Sequence, residues 1–432
     1  MSKTVALHTL GCKLNFSETS AIGRLLENDG FVKKDFDEVA DLYVINTCSV
    51  TDNADKECRH LVRKIQRKAP EALVVITGCY AQLKPAEIAA IPGVDLVLGA
   101  AEKFNIAEHL KEISKGDSAK ICSCDIEDVN IFTAAHSLND RTRIFLKVQD
   151  GCDYNCSFCT IPMARGKSRS DLVSNIVSNV QAIALQGAKE IVLTGINLGD
   201  FREPVINNDL IQDLPGRKIT GSQNFYQLIK ELDKTAGIER YRISSIEPNL
   251  LTNEIIEFVG NSQRFMPHFH IPLQSGSNKI LGLMRRRYKK ELYAERVNLI
   301  KMLMPHCCIG VDVIVGFPGE TDEDFNDTVN FLHSLDISYL HVFTYSERAN
   351  TLAAGMKPVV PVEIRNKRNK VLRNLSYQKM QYFNQQHVGK IRKVLFEHHN
   401  KNGMMEGFTD NYIKITTPYK EEWENNIVPW KI

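Results

Sequence analysis

The chain contains 432 residues, of which 43% are hydrophobic and 25% charged, and its formal net charge is +2 at pH 7. This length allows two or three domains, whereas so small a charge excludes a uniformly basic nucleic-acid binder. No apolar run reaches the roughly 18 residues needed to cross a bilayer, and the first residues lack the layout of a signal peptide, which predicts a soluble, cytoplasmic protein.

The first 100 residues alternate short apolar runs with helical patterns. The apolar runs are typical of buried strands and lie at residues 5–9, 42–46, 73–77 and 95–98. Helical patterns separate them, for example at residues 18–27 and 52–68. This order predicts an N-terminal parallel α/β domain with right-handed crossovers, and we place its end at residue 135.

A cysteine follows each of three predicted strands, at Cys12, Cys48 and Cys79. The strand-to-helix loops of an open α/β sheet emerge at one edge, so cysteines more than 30 residues apart would converge there. One such cysteine alone is more often a small buried hydrophobe, but three at equivalent positions predict a metal site. The total of eleven cysteines also favours ligation over a disulfide framework. Cys58 lies inside a helical pattern, and we interpret it as structural.

Residues 101–141 are polar and mixed in pattern, which predicts a linker between domains. Cys122 and Cys124 lie in this segment, but two thiols without neighbouring histidines are weak indicators of a metal site.

The next segment, residues 151–170, places Cys152, Cys156 and Cys159 in a C-x3-C-x2-C spacing. Thiolates are the ligands of iron–sulfur clusters, and three of them leave one iron of a four-iron cluster open to a small molecule. A zinc site is the alternative, but zinc requires a fourth protein ligand, and none stands at short spacing.

Six further strands alternate with helical patterns over the middle of the chain. The strands are predicted at residues 144–149, 191–194, 241–245, 269–273, 311–315 and 339–343. Six β/α units are too few for an eight-stranded barrel of about 250 residues. We therefore predict a partial, laterally open (β/α)6 barrel over residues 136–370, with its active-site face where glycine-rich and polar motifs end the strands. A polar insert at residues 200–222 is predicted to be a long surface loop.

The C-terminal part, residues 371–432, is predicted to contain a linker helix followed by a small antiparallel β-barrel. A basic helical pattern covers residues 362–379, and short alternating runs follow at residues 392–396, 404–408 and 412–415. Modules of this kind often bind RNA.

Together these motifs resemble the radical S-adenosylmethionine (SAM) methylthiotransferases along nearly the whole chain. The motifs that carry the resemblance are TLGCKLN, INTCSVT, ITGCYAQ, QDGCDYNCSFCTIP, ARGKSRS, HIPLQSGS, MRRRY and VGFPGET. The family joins a cluster-binding N-terminal domain, a radical-SAM partial barrel and a C-terminal RNA-binding β-barrel called TRAM. The GCKLN and ARGKSRS forms are most similar to members that add a methylthio group to C2 of N6-threonylcarbamoyladenosine in tRNA, beside the anticodon.

The resemblance implies two four-iron, four-sulfur (4Fe-4S) clusters and SAM as cofactors. Cys152, Cys156 and Cys159 would hold the cluster that cleaves SAM to a 5′-deoxyadenosyl radical. Cys12, Cys48 and Cys79 would hold the auxiliary cluster that supplies the sulfur, so all six count as catalytic. The resemblance also implies SAM contacts at Phe158, Thr194, Gly195, Asn197, Ser245, Glu247, Gln274 and Gly316. Our candidates for RNA phosphate contacts are Arg165, Lys167, Arg169, Arg285, Arg286 and Arg287.

The partners expected from this reading are tRNA, a sulfur donor and a reductant such as flavodoxin or ferredoxin, with a monomeric enzyme and no membrane. Two alternatives stay open. One keeps the chemistry but changes the substrate to isopentenyladenosine in tRNA or to a ribosomal protein. The other is a non-catalytic iron–sulfur protein that binds RNA or transfers electrons.

Overall fold

The computed structural model describes residues 3–48, 52–138, 141–204, 223–397 and 402–432. The α-helices are α1 (Lys13–Asn28), α2 (Asp52–Lys68), α3 (Cys79–Leu83), α4 (Pro85–Ala89), α5 (Ile106–His109), α6 (Ile161–Arg165), α7 (Val173–Leu185), α8 (Phe225–Lys234), α9 (Asn253–Asn261), α10 (Asn278–Leu283), α11 (Lys290–Leu303), α12 (Asp322–Ser334) and α13 (Val362–Gln385). The strands are β1 (Thr4–Thr9), β2 (Val32–Lys34), β3 (Leu42–Thr47), β4 (Leu73–Gly78), β5 (Leu96–Leu98), β6 (Lys120–Cys122), β7 (Ala135–His136), β8 (Arg143–Lys147), β9 (Gln149–Asp150), β10 (Arg169–Ser170), β11 (Glu190–Thr194), β12 (Arg240–Ile243), β13 (His268–His270), β14 (Cys308–Val315), β15 (Tyr339–Thr344), β16 (Ile391–Phe396), β17 (Met404–Thr409), β18 (Lys414–Pro418) and β19 (Ile427–Lys431).

The N-terminal sheet is parallel throughout, in the order β2-β1-β3-β4-β5-β6. Its four central strands lie where the apolar runs predict them, and β3 is buried along its whole length. The edge strands β2 and β6 were not predicted, and β6 lies in the segment interpreted as a linker. Both have three residues and partly exposed side chains, so neither leaves a periodic apolar pattern in the sequence.

The middle of the chain forms the predicted partial barrel. Strands β8, β11 and β12 form one parallel sheet, and β13, β14 and β15 form another. Two parallel bridges, Tyr241 to Phe265 and Ser245 to His270, join β12 to the β13 region, so the six strands curve as one open sheet. Strand β7 adds an antiparallel edge to β8.

Side chains of the barrel strands alternate between two environments. Outward residues such as Ile144, Leu146, Ile191 and Leu193 join α7 and α8 residues in the largest hydrophobic core. The intervening residues therefore point into the lumen. The open side of the barrel is covered by the N-terminal domain, where Phe16 of α1 packs edge-on against Phe145 of β8 at 5.7 Å between ring centres.

The last four strands form an antiparallel sheet in the order β18-β17-β16-β19. We predicted the first three, whereas β19 lacks a clear alternating pattern because Pro429 and Trp430 interrupt it. The closed TRAM barrel stays a prediction. The boundary that we placed at residue 370 falls within α13, a single helix of 24 residues.

This C-terminal sheet contacts the barrel near the amino-terminal ends of its strands. Arg242 donates hydrogen bonds to the carbonyls of Asp410 (2.9 Å) and Thr409 (2.7 Å). Tyr412 stacks on His268 with 4.1 Å between ring centres. The turn between β17 and β18 therefore closes the lower end of the lumen. In the described part of the chain, no helix combines the length and apolarity that a membrane crossing requires.

Candidate functional site

Cys12, Cys48 and Cys79 stand at the carboxyl ends of β1, β3 and β4, which are neighbours in the sheet. Glycines allow the close approach of these loops. A Cβ on Gly11, whose φ is +110°, would lie 2.7 Å from Cys48 Cβ and 3.0 Å from Cys48 Sγ. A Cβ on Gly78, at φ +97°, would lie 2.4 Å from the Thr47 carbonyl oxygen. Because φ is positive and space is absent at both positions, only glycine fits.

Asn15 links the loops that carry these cysteines. Its amide nitrogen donates to the carbonyls of Leu10 and Thr47, both at 3.0 Å, and its Oδ1 lies 3.7 Å from Cys12 Sγ. Burial raises the pKa of the Cys79 thiol, and the nearby Cys12 adds to that effect. The three loops thus bring together thiols that the sequence spaces widely. Asn15 itself was not among the predicted residues, although it stands in the TLGCKLN motif.

Arg165 lies beside this thiol group and is not a surface residue. Only 2% of it is exposed; its Nε donates to Cys79 Sγ at 3.3 Å and its Nη2 donates to Asn15 Oδ1 at 2.6 Å. The prediction that Arg165 contacts RNA phosphate is therefore wrong, because the guanidinium is buried and already paired.

Arg165 also belongs to a buried ionic network that joins the two domains. The Glu18 carboxylate of α1 forms ion pairs with Lys103 at 2.7 Å, Lys147 at 3.0 Å and Arg165 at 3.0 Å. Asp150 pairs with Lys147 at 2.7 Å and Arg165 at 2.9 Å. Burial alone would raise the pKa values of Glu18 and Asp150, but the surrounding cations lower both.

The loop after β9 brings together Cys152, Cys156 and Cys159. Gly151 has φ +70°, and a Cβ there would lie 2.0 Å from the Lys167 carbonyl oxygen. The Tyr154 amide donates to Cys152 Sγ at 3.4 Å. Burial raises the pKa values of Cys152 and Cys159 to about 12. The Cys159 amide donates to the Cys156 carbonyl at 3.1 Å, so these two cysteines share one tight turn. Thiols of this kind ionise when a metal binds them.

Arg286 sits against this second thiol group. It donates to Cys156 Sγ at 3.2 Å, forms an ion pair with Glu247, and its side chain is 4% exposed. Arg286 is thus unavailable to phosphate, contrary to our prediction, because it is held between a thiol and a carboxylate. Glu247 accordingly faces Arg286, and burial raises its pKa despite that partner.

Three of the predicted SAM contacts carry buried polar atoms without a hydrogen-bond partner among the described residues. They are Thr194 Oγ1, both amide atoms of Asn197, and Gln274 Oε1. Such atoms are costly to leave unpaired, so a polar ligand suits them. Gln274 and Phe158 line a cavity of about 220 Å³ together with Cys159, Asp312 and Ile314.

Gln149 fixes the loop that contains Gly195 and Asn197. Its Oε1 accepts the amides of Ile196 (2.8 Å) and Asn197 (2.9 Å), while its Nε2 donates to the Gly151 carbonyl at 2.7 Å. A Cβ on Gly195 would lie 2.9 Å from Gln149 Oε1. The loop after β11 is therefore held beside the cysteine loop, as a shared ligand site requires.

Two predicted SAM contacts lie in other surroundings. Ser245 is half-buried, and its backbone forms an isolated parallel β-bridge with His270 between the two barrel sheets. The Gly316 amide donates to Glu320 at 2.6 Å, and a Cβ on Gly316 would lie 2.3 Å from Arg365 Cγ. The structure thus packs Gly316 against α13 instead of bringing it to the cavity that Gln274 lines.

Of the remaining basic candidates, Lys167, Arg285 and Arg287 are exposed. Arg287 lies over the Tyr154 ring at 3.9 Å from its centre. Arg169 is largely covered; it donates to the Arg165 carbonyl at 2.6 Å and pairs with Asp150 at 3.4 Å.

The sequence reasoning missed a cluster of His270, Asp312 and His341 in the lumen. Asp312 Oδ1 lies 2.8 Å from His270 Nε2 and 3.3 Å from His341 Nδ1. Burial alone would raise the pKa of Asp312, but the two imidazoles lower it. These residues occupy inward positions of β13, β14 and β15, which the alternation of buried apolar residues on those strands could have indicated.

Comparison with known proteins agrees with this arrangement. Residues 4–99 match the Uncharacterized protein family UPF0004, and residues 146–332 match the Radical SAM superfamily. The chain is 39% identical to the Threonylcarbamoyladenosine tRNA methylthiotransferase MtaB of Bacillus subtilis (strain 168), over 99% of this chain and 93% of that protein. It is 32% identical to the tRNA-2-methylthio-N(6)-dimethylallyladenosine synthase of Wolinella succinogenes, over 100% of this chain and 97% of that protein.

Among solved structures, the chain is similar to the radical S-adenosylmethionine methyltransferase TsrM from Kitasatospora setae, determined with cobalamin and a 4Fe-4S cluster bound. The TM-score is 0.56 at 16% identity, and the match covers 82% of this chain and 77% of TsrM. A likeness at this identity shows a shared fold and no more.

Proposed function

Because the chain belongs to the family of radical-SAM tRNA methylthiotransferases, we propose that it adds a methylthio group to C2 of N6-threonylcarbamoyladenosine in tRNA. Several relatives named for this activity are 37–39% identical to the chain over almost its full length. Relatives named for dimethylallyladenosine are 30–32% identical. The higher identity favours threonylcarbamoyladenosine as the substrate.

One observation supports the proposal most directly, namely that both thiol groups open onto the barrel lumen. Cys12 lines a cavity together with Phe145 and Val192, which point inward from β8 and β11. Cys159 lines a second cavity together with Gln274 and Asp312. The two cavities are neighbours, because His268 of the first lies two residues from His270 on β13, and His270 Nε2 is 2.8 Å from Asp312 Oδ1 of the second.

The cofactors are SAM and 4Fe-4S clusters, which supply a carbon radical able to break an unactivated C–H bond and a sulfur atom to replace the hydrogen. Cys152, Cys156 and Cys159 would hold the cluster that binds SAM, and Cys12, Cys48 and Cys79 would hold the auxiliary one. A carboxylate or imidazole could not remove the adenine C2 hydrogen, since that C–H bond is not acidic. The role of the chain is therefore to bind and orient SAM and the substrate and to exclude water. Gln149 holds the two ligand loops together.

The predicted SAM contacts divide by their surroundings. Thr194, Asn197 and Gln274 offer unpaired polar atoms suited to the amino and carboxylate groups of SAM, and Phe158 would flank its adenine. Glu247 instead orients Arg286, which stabilises negative charge on Cys156 Sγ.

The tRNA would lie across the rim at Lys167, Arg285 and Arg287, the exposed members of the basic set. We further propose a monomer that takes electrons from a flavodoxin or ferredoxin and sulfur from a separate donor.

Mass spectrometry of tRNA nucleosides tests the proposed function. Cells that lack the protein should lose the 2-methylthio form of threonylcarbamoyladenosine and accumulate the unmodified nucleoside, and re-expression should restore it. Loss of the methylthio-isopentenyl nucleoside instead would move the substrate to isopentenyladenosine, and an unchanged nucleoside profile would refute tRNA as the substrate.

We expect Arg286→Met to lower the reduction potential of the cluster held by Cys152, Cys156 and Cys159. Removing a cation and a hydrogen bond from Cys156 Sγ destabilises the more negative, reduced cluster. A charge-assisted bond of this kind predicts a shift on the order of 60 mV or more. Potentiometric titration followed by electron paramagnetic resonance measures it, with exposed Lys289→Met as the control. An unshifted potential would contradict this role for Arg286.

A further inference from the structure

A cavity of about 280 Å³ lies between the N-terminal domain and the barrel, separate from the one that Gln274 lines. Its floor is formed by Arg143, Arg242, His268 and Tyr412, and its walls by Phe145 and Val192. Thr9 and residues 11–13, which include Cys12, form its N-terminal side. Its volume is near the lower end of the range for small-molecule sites.

Four cations surround this cavity, and two of them lack an acidic partner among the described residues. Arg242 pairs with Glu190 at 2.7 Å, and Arg143 pairs with Glu397 at 2.7 Å. For Lys13 and Arg141, the described residues provide no carboxylate within ion-pair distance. Arg141 is held by aromatic rings instead, 4.5 Å from the centre of Phe16 and 5.6 Å from that of Phe145.

The electrostatics of the cavity show an excess of positive charge. Lys13 is exposed to the cavity, and the guanidinium groups of Arg143 and Arg242 line the same cavity. Burial alone would raise the pKa of Tyr412, but Arg143, Lys13 and Arg242 lower it overall. Cations gathered around one cavity repel one another unless an anion lies between them. The structure therefore contains the protein half of an anion site.

The position of the cavity restricts the identity of that anion. Cys12 lines it, and Cys12 belongs to the thiol group that we propose to deliver sulfur to adenine C2. In adenine, C2 and C6 both adjoin ring nitrogen N1, so a substituent on N6 extends from the same edge that receives the sulfur. The threonylcarbamoyl substituent ends in a carboxylate, whereas a dimethylallyl substituent is uncharged.

We propose that Lys13 and Arg141, supported by Arg143 and Arg242, bind the threonyl carboxylate of the substrate nucleoside in this cavity. The inference rests on the proposed function and adds a basis for specificity, since an uncharged N6 substituent would leave the cations unpaired while it displaced their water.

Two anticodon stem-loop RNAs test this site directly. One carries threonylcarbamoyladenosine with its free carboxylate, and the other carries the methyl ester of the same nucleoside. Fluorescence anisotropy without SAM gives the Kd of each RNA for the reconstituted protein, and methylthiolation assays give the KM. The wild-type protein should bind the acid about tenfold or more tightly than the ester, which corresponds to about 1.4 kcal/mol.

Substitutions at the cavity test whether these residues cause the preference for the acid over the ester. Lys13→Met and Arg141→Met should each bring the acid-to-ester ratio of Kd close to one, mainly by weakening binding of the acid, while Lys13→Arg should retain the preference. Lys111→Met removes an exposed lysine from the same domain and should leave the ratio unchanged. Circular dichroism verifies that each variant is folded, and the comparison within the wild type requires no variant.

Equal wild-type affinity for acid and ester would overturn the inference. It would also be overturned if Lys13→Met weakened both RNAs equally, because the lysine would then serve the phosphate backbone. Slower turnover of both RNAs at unchanged Kd would indicate that the cavity serves an anionic sulfur donor, which also refutes the proposal. Failure of the proposed function has a different signature, since no methylthio product would form from either RNA, whatever their relative affinities.

Discussion

Replacing Cys48 with alanine should abolish methylthiolation of tRNA while SAM cleavage continues. Cys48 stands at the end of β3, beside Gly11 and Cys12, and in a different domain from Cys152, Cys156 and Cys159. Loss of one thiolate from a set of three removes a ligand of the proposed cluster. We propose that radical formation depends on the other set, which is flanked by Arg286 and Glu247.

The measurements are iron content, 5′-deoxyadenosine and methylthio product for the same preparations. The reconstituted wild type should hold about eight irons per chain, and the Cys48→Ala variant about four. Cys156→Ala should lose both 5′-deoxyadenosine and product. Cys124→Ala removes a half-buried thiol that follows the edge strand β6, two strands away from β4, and this variant should behave as wild type. If Cys48→Ala also lost SAM cleavage in a folded protein, the two thiol groups would not have separate roles.

Replacing Glu18 with alanine should destabilise the protein by about 3–5 kcal/mol, because it leaves buried cations uncompensated. Glu18 is fully buried, and it accepts Lys103, Lys147 and Arg165 within 3.0 Å. Without it, Asp150 alone remains to balance these cations from inside the network. Since the pKa of Glu18 lies below that of an unfolded glutamate, its contribution to stability is present at neutral pH and disappears as acid protonates it.

Urea denaturation at pH 7 measures this loss through the midpoint of the transition that reports on both domains. Glu112→Ala is the matched control, since Glu112 is exposed and pairs with Lys120 on the surface; its cost should stay below about 1 kcal/mol. A Glu18→Ala variant as stable as that control would show that water or rearranged side chains compensate the cations. The difference between wild type and Glu18→Ala should stay constant from pH 7 to about 5 and shrink as the pH falls below 4.5, the ordinary pKa of glutamate.

The sequence predicted those parts of the fold whose information is local. Buried strands such as β3 and β4 are continuous apolar runs. Gly11 after β1 and Gly78 at the end of β4 allow the close approach of the cysteine loops. Strands β2, β6 and β7 escaped prediction because two or three residues at a sheet edge carry no periodic pattern.

The surroundings of the charged residues were harder to predict, because they depend on tertiary contacts with distant parts of the chain. Arg165 and Arg286 flank cysteine motifs and seemed suited to phosphate, yet each is buried against a thiol and a carboxylate from distant parts of the chain. The partners of Arg165 include Glu18, which is 147 residues away. A single sequence offers no periodicity or spacing from which such a pair could be inferred.

The contact between Tyr412 and His268 affects how the enzyme could be dissected. A truncated chain without its last strands would lose the contact that closes the lower end of the lumen, together with any RNA contacts of those strands. Solvent would then reach Arg143 and Arg242. Radicals generated in a lumen that is open to solvent would react with solvent components before they reached the adenine of the substrate. The C-terminal sheet is thus part of the wall of the lumen. Exchanging this sheet between relatives should require a tyrosine at the position that contacts His268.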